Sequence, residues 1–225
     1  MSEPCAVIFD LDGVLVDSAM AHRRAWQQLG EEVGVPFSDA LFDRSFGQRN
    51  ESIIPVWLGE AVPAARAAAL ADRKETLYRD AVRRGAVRVY AGVAGVVDGL
   101  RAEGARLAIA SSGPRANVGL LIDVLGLEDR VDAVVAGEDV RQGKPDPEAF
   151  LLAATRLGVP AARCAVVEDS VHGIEAAVRA GMLAVAVLTS TPRAALAAAG
   201  AAMFLPEVGA LDPTALVAAL RKAGC

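Results

Sequence analysis

Four short polar clusters hold the residue types from which chemistry is built. The first is Phe9-Asp10-Leu11-Asp12-Gly13-Val14, where two carboxylates two positions apart follow an apolar run. A strand alternates faces, so Asp10 and Asp12 point the same way if the strand continues through them. Carboxylates this close repel unless a cation or a shared proton intervenes. A hard, oxygen-seeking Mg²⁺ is a natural partner, and Gly13 leaves room for close backbone approach. Asp12-Gly13 is equally an ordinary turn dipeptide. The second cluster is Ser111-Ser112-Gly113-Pro114, a hydroxyl with nearby amides at the start of a helix, which suits an anion or a plain N-cap. The third, Gly143-Lys144-Pro145-Asp146-Pro147, offers a lysine charge for phosphate from a loop stiffened by proline. The fourth, Val167-Glu168-Asp169-Ser170, adds two acids that can complete a Mg²⁺ shell or cap a helix.

These clusters need elements that bring them together. Apolar runs at 6–9, 107–110, 133–136, 165–167 and 184–188, with a weaker one at 203–205, lack alternation, as strands buried on both faces do. Helical patterns separate them and stop at Gly104, Gly126, Gly158, Gly181, Gly200 and Gly224, residues suited to a left-handed cap. Asp146-Pro147, Thr191-Pro192 and Asp212-Pro213 each place a capping side chain before a proline at the first helical position. Strand–helix repetition predicts an α/β fold with a doubly wound parallel sheet. In such a sheet all four clusters fall at the carboxyl ends of strands, where open α/β sheets bind ligands. Together they describe a place for a phosphate dianion and Mg²⁺.

Residues 18–85 break the rhythm. No buried-strand run occurs there, and 19–34, 40–46, 51–58 and 64–84 read as helices. This predicts a small helical domain at 18–85, inserted after the first strand of an α/β core formed by 1–17 and 86–225. Residues 86–91 would be the return linker.

Composition narrows the possibilities. The chain has 225 residues, 53% hydrophobic and 23% charged, so it can bury a sizeable core. Aromatics are 4%, which predicts a core of Ala, Val and Leu. A net charge of -5 argues against a nucleic-acid partner, which calls for a basic face. No stretch reaches the roughly 18 apolar residues that span a bilayer, and residues 1–9 do not form a signal peptide. Cys5, Cys164 and Cys225 are widely spaced, as free thiols of a reducing compartment are. A soluble cytoplasmic protein with no membrane or nucleic-acid partner is the expectation. Two rival chemistries fail on spacing. Gly137 to Lys144 is one residue too long for a phosphate-binding P-loop, and Pro145 stands where Ser or Thr would bind Mg²⁺. With two histidines and no GxSxG, a Ser-His-Asp hydrolase is disfavoured. His172 is assigned no role.

The combination Asp10-x-Asp12, Ser111, Lys144 and Glu168-Asp169, in this order, resembles the haloacid dehalogenase superfamily over essentially the whole chain. FDLDGVLVDS at 9–18, His22-Arg23-Arg24-Ala25-Trp26, Arg73-Lys74 and Glu168-Asp169-Ser170 are similar to its β-phosphoglucomutase-like and phosphatase subgroup. Dehalogenases themselves fit less well, because Asp12 and the acidic pair have no role without Mg²⁺ and phosphate.

The resemblance implies a Rossmann-like core with a helical cap. It implies Asp10 as nucleophile and Asp12 as general acid and base. Ser111, Ser112 and Lys144 would bind the phosphoryl group. Mg²⁺ would be held by Asp10, the Asp12 backbone carbonyl, Glu168 and Asp169. His22, Arg49, Asn50 and Arg115 fall where substrate specificity is set. The implied activity is Mg²⁺-dependent hydrolysis of a small phosphorylated metabolite, a sugar phosphate, through an aspartyl-phosphate. The alternatives are a hexose-phosphate mutase, a non-catalytic sensor of phosphorylated metabolites and, weaker still, a receiver-type phosphorylation module. Two departures favour hydrolysis over mutation. Gly113 and Pro114 replace polar residues after the motif serine, and Asp80 stands where a late cap lysine is expected.

Overall fold

The computed structural model describes residues 4–59 and 61–223. Cys225, Gly224 and residues 1–3 lie outside that description. The chain divides into two compact units, Met1–Val16 with Val89–Cys225, and Asp17–Arg88.

The larger unit opens with β1 (Ala6–Phe9). The chain then passes through β2 (Val16–Asp17) into four helices, α1 (Ala19–Val33), α2 (Asp39–Ser45), α3 (Asn50–Leu58) and α4 (Ala64–Arg83), and returns through β3 (Arg88–Val89). From there strands and helices alternate: α5 (Val93–Ala102), β4 (Arg106–Ala110), α6 (Arg115–Leu125), β5 (Ala133–Val135), α7 (Glu148–Leu157) and β6 (Cys164–Glu168). They continue with α8 (Val171–Arg179), β7 (Leu183–Val187), α9 (Arg193–Ala198), β8 (Met203–Leu205) and α10 (Pro213–Ala223).

Six strands form one parallel sheet in the order β5-β4-β1-β6-β7-β8. From β1 the chain builds outward through β4 and β5, then crosses back to build β6, β7 and β8 on the other side. The order therefore reverses at β1, and a crevice opens beyond its carboxyl end. The sheet is buried on both faces, which is why its strands read as unbroken apolar runs. Ala6, Ile8, Ala108, Ala110, Val166, Ala184 and Ala186 belong to one core cluster with Phe150 and Leu157 of α7 and Ile174, Ala176 and Ala177 of α8. The intervening residues Val7, Phe9, Leu107, Ile109, Ala165, Val167, Val185 and Val187 are also buried. Burial of each Leu, Ile, Val or Phe side chain here stabilises by about 1.5–3 kcal/mol.

Gly126 and Gly158 cap α6 and α7 in the left-handed region, and Gly104, Gly181 and Gly200 adopt positive φ one residue past the caps of their helices. The proline expectation shifts by one residue in two cases. Pro147 and Pro192 occupy the N-cap itself, and only Pro213 is the first helical residue. Asp146 and Asp212 still cap, accepting from the N–H groups of Glu148 (2.9 Å) and Ala215 (3.1 Å). Cys5 and Cys164 are buried free thiols, and burial pushes Cys164 up to about 12.

The helical unit is built differently. The expectation of a core of Ala, Val and Leu fails here, because the few aromatics are concentrated in it. Trp26 stacks on Phe37 at 4.7 Å between ring centres, and Trp57 lies 5.9 Å from Trp26 and 5.7 Å from Phe37. A small helical domain has little interior, and large rings fill it with few residues. The two-residue strands β2 and β3 pair with each other where the chain enters and leaves this unit, and Arg88 donates to Asp17 at 3.1 Å. The linker expected at 86–91 thus contains a strand. Among the described residues no helix is long and apolar enough to cross a membrane.

Candidate active site

β1 ends at Phe9, so Asp10 emerges at the point where strand order reverses. The strand does not continue to Asp12. A tight turn replaces it, closed by Leu15 N–H and Val16 N–H to the Leu11 carbonyl (2.9 and 3.1 Å) and Gly13 N–H to the Val16 carbonyl (2.7 Å). Gly13 has φ +80, and a Cβ built there would meet Asp169 Oδ2 at 2.0 Å. Only glycine fits, because the Asp169 carboxylate occupies the volume a side chain would take.

Next to β1, β6 ends in Glu168, with Asp169 one residue beyond. Asp10, Glu168 and Asp169 are buried, and each presents a carboxylate oxygen within 4.8 Å of the others. Lys144 reaches in from the loop before α7. Its Nζ lies 2.5 Å from Asp10 Oδ1 and 2.6 Å from Glu168 Oε1. Glu168 Oε2 accepts from Asp169 N–H (2.8 Å), Ser170 N–H (2.9 Å) and Ser170 Oγ (3.0 Å). Ser170 in turn caps α8, its Oγ accepting from Gly173 N–H at 3.0 Å. The capping reading of this cluster therefore holds at Ser170.

The electrostatics follow from one buried cation among several acids. Burial pushes Asp10 up to about 7 despite the Lys144 charge, with the Glu168 and Asp12 carboxylates adding to the rise. Burial also drives Asp169 well above the carboxylate range, helped by Glu168 and Asp10. Burial works against Glu168 too, but Lys144 outweighs it and holds that carboxyl low. Burial opposes the Lys144 charge, and Asp10 and Glu168 overcome it, so its ammonium is held above its ordinary range. The cluster lacks positive charge. Its donors are all hard carboxylate oxygens, the set that suits Mg²⁺ rather than a softer ion.

Gly173 faces the same acid from α8. A Cβ there would lie 1.9 Å from the Glu168 carboxylate. Glu168 cannot swing aside without losing Lys144 and the turn amides. Gly173→Ala is expected to destabilise the protein by about 1–3 kcal/mol through overpacking, read as a lower urea midpoint with unchanged slope.

Ser111 follows β4 and is buried, its Oγ accepting from Gly113 N–H at 3.0 Å. Ser112 is half-buried in the same loop. Gly137 lies close against this loop, its N–H donating to the Gly113 carbonyl at 2.9 Å. Glu138 then accepts from the Arg115 N–H through both oxygens (3.0 and 2.8 Å), capping α6. The Arg115 side chain pairs with Asp139 at 2.5 Å. Hydrogen bonds from Arg156 and the Ala136 N–H hold the Asp139 carboxyl at about 2.

His22, Arg49 and Asn50 belong to the helical unit. Arg49 is the N-cap of α3 and Asn50 its first residue. Asn50 Nδ2 donates to Glu75 Oε1 at 2.7 Å. The same oxygen takes Lys74 Nζ at 2.9 Å, and that ammonium lies 2.8 Å from His22 Nδ1. The His22 ring stacks on Tyr78 at 3.8 Å. Lys74 and Glu75 are buried. Although burial alone would raise it, Glu75 is held below the usual carboxylate range by Lys74, then His22 and Asn50. The helix that carries Asp80 also carries Lys74, which is buried and paired with Glu75. Glu75→Ala would leave the Lys74 ammonium without its carboxylate. It is expected to cost about 3–5 kcal/mol of stability in denaturant unfolding.

A model of haloacid dehalogenase-like hydrolases matches residues 6–181, and a related hydrolase model matches 141–223. The chain belongs to the haloacid dehalogenase-like hydrolase family. This hydrolase is 33% identical over 193 residues to a β-phosphoglucomutase of Bacillus subtilis (strain 168), spanning 83% of this chain and 84% of the relative. It is also 33% identical over 184 residues to a phosphorylated carbohydrates phosphatase of Thermotoga maritima, spanning 79% and 82%. Among solved structures, a family IA, variant 3 hydrolase from Entamoeba histolytica superposes with a TM-score of 0.88 at 26% identity, covering 96% of this chain and 99% of that one.

Proposed function

We propose that this hydrolase is a Mg²⁺-dependent phosphatase that hydrolyses a small phosphorylated metabolite, a sugar phosphate, through an aspartyl-phosphate on Asp10. The buried cluster of Asp10, Glu168 and Asp169 around Lys144 carries the reading. Likeness to a phosphatase acting on phosphorylated carbohydrates supports the substrate class.

In this reading Asp10 and Asp169, with the Asp12 carbonyl, would hold the Mg²⁺. Glu168 belongs to the donor cluster, but its oxygens already serve Lys144 and the α8 turn. Its part is to fix Lys144 beside Asp10. When bound, Mg²⁺ offsets the charge of the acids and of the phosphoryl oxygens. Lys144 offsets more of it, and Ser111 and Ser112 bind phosphoryl oxygens from the loop after β4. An Asp10 carboxylate oxygen bonds to phosphorus as the ester P–O bond breaks, and Asp12 passes a proton to the departing alkoxide. Asp12 then takes a proton from water, whose oxygen bonds to phosphorus as the P–O bond to Asp10 breaks. Inorganic phosphate leaves and Asp10 is restored. Phosphoryl transfer depends mainly on positioning and charge neutralisation, which a preorganised buried cluster supplies. His22, Arg49, Asn50 and Arg115 are the proposed specificity residues.

The test is a screen of phosphorylated metabolites with Mg²⁺, scored by phosphate release. EDTA is expected to abolish release and excess Mg²⁺ to restore it, whereas full turnover in EDTA would overturn the metal assignment. A mutase is the second reading, favoured by the likeness to β-phosphoglucomutase. It would yield a phosphorylated isomer and need priming by a bisphosphate, in place of free phosphate.

A further inference from the structure

We propose that Ser190 and Thr189, in the loop after β7, are positioning residues that set how tightly the acidic cluster holds its divalent cation. The inference rests on the metal reading above and concerns two residues outside the four motifs. β7 is the parallel neighbour of β6, with Glu168 opposite Ala186. The loop that leaves β7 therefore emerges beside Asp169, on the same sheet edge as Asp10. Pro192 caps α9 just beyond, so the loop is short and held at both ends.

Its two hydroxyls reach different halves of the acidic site. Ser190 Oγ makes a close hydrogen bond to Asp169 Oδ2 and lies 3.1 Å from the Asp169 carbonyl oxygen. Thr189 Oγ1 donates to the Gly13 carbonyl at 2.5 Å. Between them the Asp169 carboxylate packs against Gly13, in the volume a side chain there would take. Asp169 comes from β6 and Gly13 from the turn after β1. Nothing in the chain's local geometry ties these two together, and the Thr189-Ser190 pair grips one on each side. A hydroxyl that donates to a carboxylate fixes the plane of that carboxylate. Its oxygens are then held ready for a cation instead of being reoriented when one arrives. Partners of this kind typically change metal affinity by about 10–100-fold. Ser190 is exposed, so trimming it removes the hydrogen bond without opening a cavity.

The experiment is calorimetric titration of Mg²⁺ alone into the metal-free full chain, with no substrate. Ser190→Ala is expected to weaken Mg²⁺ binding about tenfold, and Ser190→Thr, which keeps the hydroxyl, to bind within about twofold of the wild type. Thermal unfolding of the two variants in EDTA should match the wild type. In turnover, Ser190→Ala should recover its kcat as Mg²⁺ is raised, moving only the half-saturating Mg²⁺. Unchanged affinity in Ser190→Ala, or Ser190→Thr as weak as Ser190→Ala, would overturn the inference. A wild-type chain that takes up no Mg²⁺ would overturn the metal reading itself, and this inference with it.

Discussion

Asp10→Asn is expected to lower phosphate release by at least about 10⁴-fold, the scale on which removal of a nucleophile acts in a site that works as a unit. The amide keeps the shape of the carboxyl but does not attack phosphorus. Stability should move the other way. In the metal-free protein burial raises Asp10 from 3.8 to about 7, so between those values the folded state holds a proton that the unfolded state has released. The folded state then binds more protons, and the contribution of Asp10 to stability falls as pH rises through that window. It is fully present below about 4 and lost above about 7. An asparagine has no such proton to lose. In EDTA at pH 8 the variant should melt at or above the wild-type temperature, and added Mg²⁺ should raise the wild type more than the variant. A variant that is inactive because it has unfolded would show the opposite.

The second large effect is expected from Lys144→Met. Lys144 sets its ammonium between Asp10 and Glu168, its side chain 8% exposed. Methionine keeps most of the stem and removes the charge. Two buried carboxylates then lose their partner, which costs about 3–5 kcal/mol. The loss should grow with pH, because without Lys144 both acids need protons to stay buried. Glu168 would change most, since Lys144 is what holds it low against burial. Denaturant unfolding from pH 5 to pH 8 in EDTA checks this, and a pH-independent loss would contradict it. Phosphate release should fall as well and should not recover at high Mg²⁺, unlike that of Ser190→Ala.

Much of this architecture is legible in the chain before any coordinates. The runs at 6–9 and 203–205 match β1 and β8 at both ends, because a strand buried on both faces is an apolar segment cut off by polar or turn residues. The edge at which the motif residues gather follows from parallel pairing alone. What escapes the sequence is what tertiary contact decides. β2 and β3 have two residues each, too few for any periodicity to register. The burial of Lys74 and Glu75 on α4 beside His22 and Asn50 from α1 and α3 is set by contacts between helices, not by any spacing within α4. Arg115 pairs with Asp139, over twenty residues later in sequence, and no spacing in the chain announces that partner. Thr189-Ser190-Thr191-Pro192 reads as generic turn chemistry before a helix. The signal that would have found it is position, since it follows a buried strand at the same sheet edge as the acids. Gly173 carries no sequence signal of its own, because its reason is the carboxylate packed against it.

The central claim is that phosphorus is bonded to Asp10 during turnover. It is tested most directly by quenching the enzyme in mid-turnover, with Mg²⁺ and a turned-over phosphate ester such as p-nitrophenyl phosphate, into borohydride. Borohydride reduces an acyl phosphate to an alcohol, so Asp10 should appear as homoserine in the peptide that contains it, only with substrate and Mg²⁺ present and never in Asp10→Asn. An unmodified Asp10 during steady phosphate release, or homoserine formed at another aspartate, would contradict the account.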